Sequence, residues 1–384
     1  MTDKTKRALV IRLGAIGDCI IITPLIKYLH DIGWEVIVNT NDTGMQVLKN
    51  NPNISKFIFY PDNSVENHKL MEYFLNVFKK HDCTRMFNLT ESLETKLVLH
   101  PSFPQYNFTK QERYELCNKN YYEYTFEHVG LDYRDALSMG INLIGDLYFE
   151  TEEIDSMVEI TSPYVDVFKI LLPISGSGLN KIYPYWEEIF DNIYKYHKNF
   201  KIFTVGDETC RLIEAEKDYI IQCSGKWSIR QSLIAPRFMD LAIGTDTGVM
   251  HAAGTCDVPK ILLLGHDTKE NISKTFLGKT RVINSTVNCA PCFRLIYDSQ
   301  VQCPRYESIG VGCLCMTGQW DYKTGGFIAG IHPDLVKSYI LEEINSWEKQ
   351  REGKRRKHEN LKKKKSNKMQ SVPYVEKSQD QIIV

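Results

Sequence analysis

The sequence has no run of the ~18 uninterrupted apolar residues that a membrane-crossing helix needs, so no span is expected. It also lacks GxGxxG and GxxxxGK[ST], which removes the two common nucleotide-binding fingerprints, and no Asp-x-Asp metal element is found. The opening "MTDKTKRALVIRLG" has no small-residue cleavage site and runs directly into a strand pattern, which places the protein in the cytoplasm. An even cysteine count is missing too. Eleven cysteines in 384 residues argue against a disulfide framework.

A large net charge is likewise absent, since the formal value is -1. That figure hides a segregation. Residues 349–370, "KQREGKRRKHENLKKKKSNKMQ", hold eleven Lys/Arg against two Asp/Glu. The tail 351–384 is read as basic and disordered. Attraction to an anionic membrane face is a second reading of it, giving a peripheral position at the inner membrane face. Nothing else in the chain suggests a nucleic-acid partner.

What the sequence does contain is hydrophobic content of 43%, enough for real cores in a chain too long for one. Short β-branched runs alternate with amphipathic segments: "RALVIRL", a helix over about 18–32, "WEVIVNT", a helix near 42–50, "SKFIFY", a helix near 66–80, then "CTRMFNL". Such alternation indicates βαβ units and a parallel sheet. After an aromatic stretch over 100–155 the pattern restarts with "VFKILLP", a helix near 185–198, "KIFTVG", a helix near 208–216 and "YIIQCSG". It ends with a helix near 228–236, "FMDLAIG", a helix near 248–255 and "PKILLLG". The expectation is α/β, with two Rossmann-like doubly wound domains, 1–160 and 161–332, facing a central cleft. Ligands in such sheets sit at the carboxyl ends of the strands.

Four loops follow predicted strands and carry suitable atoms. In "LGAIGDC", Gly14 and Gly17 permit close backbone approach, and Asp18 stands at a helix start, where it is either a cap or a chemical group. In "LPISGSGLNKIYPYW", Ser175, Gly176, Ser177 and Gly178 offer donors, and Lys181 a cation, at the start of a helix: the make-up of a phosphate site. In "AIGTDTGVMHAAG", Asp246 or Thr245 caps a helix opening at Gly248, with Thr247 and His251 near its mouth. There Asp246 suits sugar hydroxyls better than a diphosphate. The fourth, "LLLGHDTKEN", offers Gly265, His266, Asp267 and Thr268 and is weaker alone.

Taken in order, these motifs resemble the ADP-heptose:lipopolysaccharide heptosyltransferases, glycosyltransferase family 9. The correspondence rests on Gly17-Asp18, on Lys181, Tyr183, Pro184 and Trp186, and on Asp246, Thr247, Gly248 and His251 ahead of a Pro-led strand ending at Gly265. The resemblance covers residues 7 to about 345. It implies a GT-B fold with the acceptor on the N-terminal domain, the nucleotide sugar on the C-terminal one, and a final helix, 333–350, packing back. It also implies inverting transfer from a nucleotide-diphosphate sugar, ADP-heptose in the family, to a hydroxyl of a glycan, lipid-linked or protein acceptor, with Asp18 as general base and no cofactor required. Ser175, Ser177, Lys181, Asp246, Thr247, Gly248 and His251 are the expected donor-binding residues, and Gly14 and Gly17 line the acceptor-side loop. A nucleotide-sugar 2-epimerase or a non-catalytic sugar-nucleotide binding protein are the alternatives.

The segment 289–315 holds Cys289, Cys292, Cys303, Cys313 and Cys315. Four thiolates suffice for a tetrahedral Zn or Fe site. The uneven spacing favours equally a set of reduced buried thiols, and both readings stand.

Overall fold

The structure, a computed structural model, describes residues 6–62, 64–90, 92–93, 95–295, 313–321 and 323–370, with side chains of the closing helix to 356. The chain forms two compact units, Met1–Lys337 and Ser338–Val384. Both large sheets belong to the first.

Strands β1 (Arg7–Ile11), β2 (Glu35–Thr40), β3 (Lys56–Phe59) and β4 (Arg85–Asn88) form a parallel sheet in the order β3-β2-β1-β4. The second half contributes β5 (Phe168–Pro173), β6 (Phe200–Val205), β7 (Ile220–Gln222), β8 (Leu241–Thr245), β9 (Lys260–Leu264) and β10 (Thr280–Asn284). These pair in the order β10-β9-β8-β5-β6-β7, the order of a dinucleotide-binding sheet. Central strands such as "LVI" of β1 and "KILLL" of β9 are buried throughout, as parallel strands covered by helices on both faces must be. Strand order reverses between β1 and β4 and between β5 and β8. The loops carrying Asp18, Ser175–Lys181 and Asp246 leave the sheets at those two points. β11 (Gln319–Trp320) and β12 (Phe327–Ala329) make a small antiparallel pair.

Several expected elements differ in detail. The helix expected over 18–32 is two, Ile16–Ile21 and Thr23–Asp31. Pro24 has no N–H for the Ile20 carbonyl, and the Thr23 hydroxyl donates to that oxygen instead at 2.8 Å. The helix near 208–216 shrinks to a 3-10 turn, Cys210–Leu212, because Asp207 Oδ1 takes the amides of Thr209 and Cys210 at 3.0 and 3.1 Å. β10 was not foreseen. It is an edge strand with a mixed polar pattern, "TRVIN". The closing helix runs Pro333–Gln370, twenty residues past its expected end, so the segment 351–370 is a correction to the disordered tail. Lys, Arg, Glu and Gln are good helix formers, and Glu352 pairs with Arg356 one turn on.

Candidate active site

Asp18 is the third residue of helix Ile16–Ile21, whose N-cap is Ala15. The cap reading is therefore corrected. The carboxylate instead pairs with Arg12, whose Nη2 lies 2.7 Å from Oδ2. Arg12 follows β1, is 1% exposed, and also donates to the Leu89 carbonyl and to Ser92. The pair differs from an ordinary surface bridge in one respect: the cation is wholly buried and the carboxylate keeps 21% of its side chain open. Asp18 is thus held at its base with part of its surface left for a ligand.

Across from it, Asp246 is engaged by two cations or donors. Oδ2 receives Lys181 Nζ at 2.8 Å, and Oδ1 receives His251 Nε2 at 3.0 Å. Burial alone would raise the carboxyl's pKa, but Lys181 and His251 more than offset it and hold Asp246 well below the usual range. Lys181 keeps its charge by the same balance, since burial lowers its pKa and Asp246 raises it further. Both Asp246 oxygens are engaged within the protein, Oδ2 by Lys181 and Oδ1 by His251, and each keeps a further lone pair. The local role of Asp246 is to fix the Lys181 ammonium and the His251 ring. Tyr183, buried with its hydroxyl on the Ile331 carbonyl, and Trp186, 4.9 Å from the Tyr183 ring, anchor the segment that carries Lys181.

The two glycine-bearing loops lie against one another. A Cβ on Gly17 would meet the His251 ring at 3.0 Å, and one on Gly248 would meet Ile16 at 2.5 Å. The missing side chain at Gly248 thus accommodates the opposite half of the protein. Thr247 caps helix Gly248–Gly254, accepting from the Met250 amide. Ser175 donates to the Gly176 carbonyl at 3.2 Å, and Ser177 is exposed.

Between the halves lies a cavity of about 730 Å³. Its walls include Gly17, Asp18, Ser175, Gly176, Ser177, Lys181, Asp246, Thr247, Gly248 and His251, so the donor-binding set and Gly17 and Asp18 of the first loop converge. Gly14 does not line it; Gly14 packs instead on the Arg12 guanidinium, 3.2 Å from where a Cβ would sit. Five residues escaped the sequence reading. Arg12, which pairs with Asp18, was passed over as strand, Tyr121 lay in the irregular aromatic region, and Gly206, Asp207 and Trp227 line the wall beyond β6 and β7. Only "TVGDE", a Gly-Asp directly after a strand, carried a readable signal.

In the cavity wall His266, and beside it Asp267, are each 3% exposed. Burial lowers the His266 pKa to about 4, and burial followed by the nearby Asp246 charge pushes Asp267 well above an ordinary carboxyl. Asp246, His266 and Asp267 place ligand atoms within 4.8 Å of one another. They do not suit a divalent cation, because the Lys181 ammonium already occupies Asp246. Asp267 is better described as a neutral acid. A raised folded pKa gives stability that is full below about pH 4, where the unfolded carboxyl is protonated, and is lost as pH rises towards the folded value. Replacing Asp267 by Asn should therefore raise the melting temperature at pH 8, with the gain shrinking to nothing near pH 4. Thermal melts of both proteins across pH 4–8 check this; a gain independent of pH would contradict the protonated acid.

The cysteine segment does not close into a metal centre within the described residues. Cys313 and Cys315 sulfurs are 3.2 Å apart, yet among the described residues no three of the sulfurs of Cys289, Cys292, Cys313 and Cys315 lie mutually within 4.8 Å. Cys303 lies outside the described residues. Cys315 packs against Gly265, directly before His266.

No protein-family model matches the chain. Over 305 residues it is 24% identical to lipopolysaccharide heptosyltransferase 1 of Campylobacter coli, spanning 70% of this chain and 87% of that protein. A glycosyl transferase family 9 structure from Veillonella parvula DSM 2008 superposes with a TM-score of 0.54 at 18% identity, over 74% of this chain and 88% of the other. The ADP-heptose lps heptosyltransferase II of E. coli superposes with a TM-score of 0.53 at 14% identity, over 72% and 90%. The chain has the GT-B fold of these proteins.

Proposed function

We infer that this chain, similar in sequence and fold to the heptosyltransferases of glycosyltransferase family 9, is a glycosyltransferase that moves a heptose from a nucleotide-diphosphate sugar to an acceptor hydroxyl. The observation that carries the reading is the placement of one anchored, partly open carboxylate, Asp18, across a cavity from a cation-bearing loop pair. Transfer to a hydroxyl needs a group to take that hydroxyl's proton and another to receive the charge growing on the leaving diphosphate. Asp18, issuing from the first sheet, faces the acceptor and takes the proton as the oxygen attacks the anomeric carbon. Lys181 and the backbone donors near Ser175–Ser177 and Thr247 receive the diphosphate. No bound metal enters these steps. Among the described residues no helix is long and apolar enough to cross a membrane, and the basic helix 351–370 is the part suited to an anionic surface.

The donor is tested by thermal shift against ADP-, GDP- and UDP-sugars. A ligand that binds only the native state stabilises it by about 2.7 kcal/mol at a hundred times its Kd. ADP-heptose is expected to give the largest shift and slow hydrolysis in the absence of acceptor. Conversion of the donor to an isomer would instead identify an epimerase, and binding without turnover in the presence of acceptor would identify a binding protein.

A further inference from the structure

Tyr121 carries a buried hydroxyl in the wall of the site that, among the described residues, has nothing to bond. It begins helix Tyr121–His128, is 4% exposed, and lines the same cavity as Asp18, Lys181, Asp246 and His251. Among the described residues its hydroxyl has no hydrogen-bond partner. A buried hydroxyl left unpaired is costly, and native proteins keep few of them. Its surroundings are carboxylates: burial first, then Asp267, Asp246 and Asp18, hold the phenol pKa well above its ordinary value, so the group stays a neutral donor.

The position of Tyr121 is fixed from the opposite half of the protein. Asn271, fully buried, donates through Nδ2 to the carbonyls of Cys117 and Lys119 at 2.7 and 2.8 Å. The Thr268 hydroxyl donates to Asn118 Oδ1 at 2.6 Å. Asn120 caps the Tyr121 helix by accepting from the Tyr122 and Glu123 amides, while its Nδ2 donates to the Glu270 carbonyl at 3.1 Å. Lys274 pairs with Glu123 at 2.7 Å. Residues 117–123 therefore belong by chain to the first half, and are held in place by residues 268–274 of the second. A hydroxyl held that firmly, yet unused, is organised for a ligand that bridges the halves.

We propose that the Tyr121 hydroxyl is a specificity-determining contact to a hydroxyl of the transferred sugar, held between Asp18 and the Lys181–Asp246–His251 group. The proposal rests on the transferase reading. The diphosphate is served by Lys181 and the Ser175–Ser177 loop, whereas a sugar hydroxyl can donate to a neighbouring carboxylate and accept from Tyr121 at once. Sites built to bond a substrate hydroxyl discriminate strongly, because the protein group is left unpaired when that hydroxyl is missing.

The test is calorimetric binding of ADP and of ADP-heptose to the full-length protein and to Tyr121→Phe, with thermal melts of both unliganded forms. The expected result is ADP affinity within about twofold, ADP-heptose affinity lowered about tenfold, and an unliganded melting temperature equal to or above the parent's. A purely structural hydroxyl would lower the melting temperature and weaken both ligands alike, which overturns the proposal. Equal ADP-heptose affinity in both proteins overturns it while leaving the transferase reading intact. Failure of the parent protein to bind any nucleotide sugar overturns both.

Discussion

Asp18→Asn is expected to reduce glycosyl transfer about 100- to 10,000-fold while leaving nucleotide-sugar affinity within a few-fold. The amide keeps an oxygen for the Arg12 guanidinium, which sits 2.7 Å from the present carboxylate, so the local geometry survives and only proton acceptance is lost. Arg12 retains its bonds to the Leu89 carbonyl and Ser92. A simultaneous collapse of donor affinity would show that Asp18 acts on the donor, and retained turnover would place the base elsewhere. Single-turnover transfer beside equilibrium donor binding separates the three cases.

Asp246→Ala should have the largest effect on stability. Removing one partner of a buried ion pair leaves the other charged and uncompensated, at a cost of about 3–5 kcal/mol. Here Lys181 loses a 2.8 Å contact and His251 a 3.0 Å one. The depressed carboxyl pKa sets the sign of the pH dependence: the group's contribution is present above the unfolded carboxyl's value near 4 and is lost as pH falls below it. Denaturant unfolding at pH 7 should show the full deficit, and the gap between variant and parent should begin to narrow below about pH 4 and close only as pH falls towards the depressed folded value. Asp246→Ala combined with Lys181→Met should recover most of the stability at pH 7 but not donor binding, since the cation proposed to serve the diphosphate is gone. A double variant no more stable than the single one would show that the pair itself is not the source of the loss.

Much of this architecture can be read from local pattern. Strand runs such as "LVI" and "KILLL" are buried on both faces and announce a parallel sheet without further context. The convergence of Asp18, Lys181, Asp246 and His251 is also legible, because all follow strands at points where ligands gather. What could not be read is what each group bonds. Asp18 resembles a cap in sequence, yet its partner is Arg12, six residues upstream just past β1. Asp246 and Lys181 are 65 residues apart and meet only in the fold. Tyr121 belongs to a region with no clear period, and its placement depends on Asn271, 150 positions later. Side-chain pairing across sequence distance leaves no local trace.

The reciprocal fit of Gly17 against His251 and of Gly248 against Ile16 has a consequence for recombination. A chimera joining the first half of this protein to the second half of a relative inherits half of a steric agreement. It is expected to pack only where the incoming helix also opens on a glycine and the incoming loop presents nothing larger than Ile16 opposite it. The two halves are therefore not free modules, and any half-swap must carry the Gly17 and Gly248 loops together.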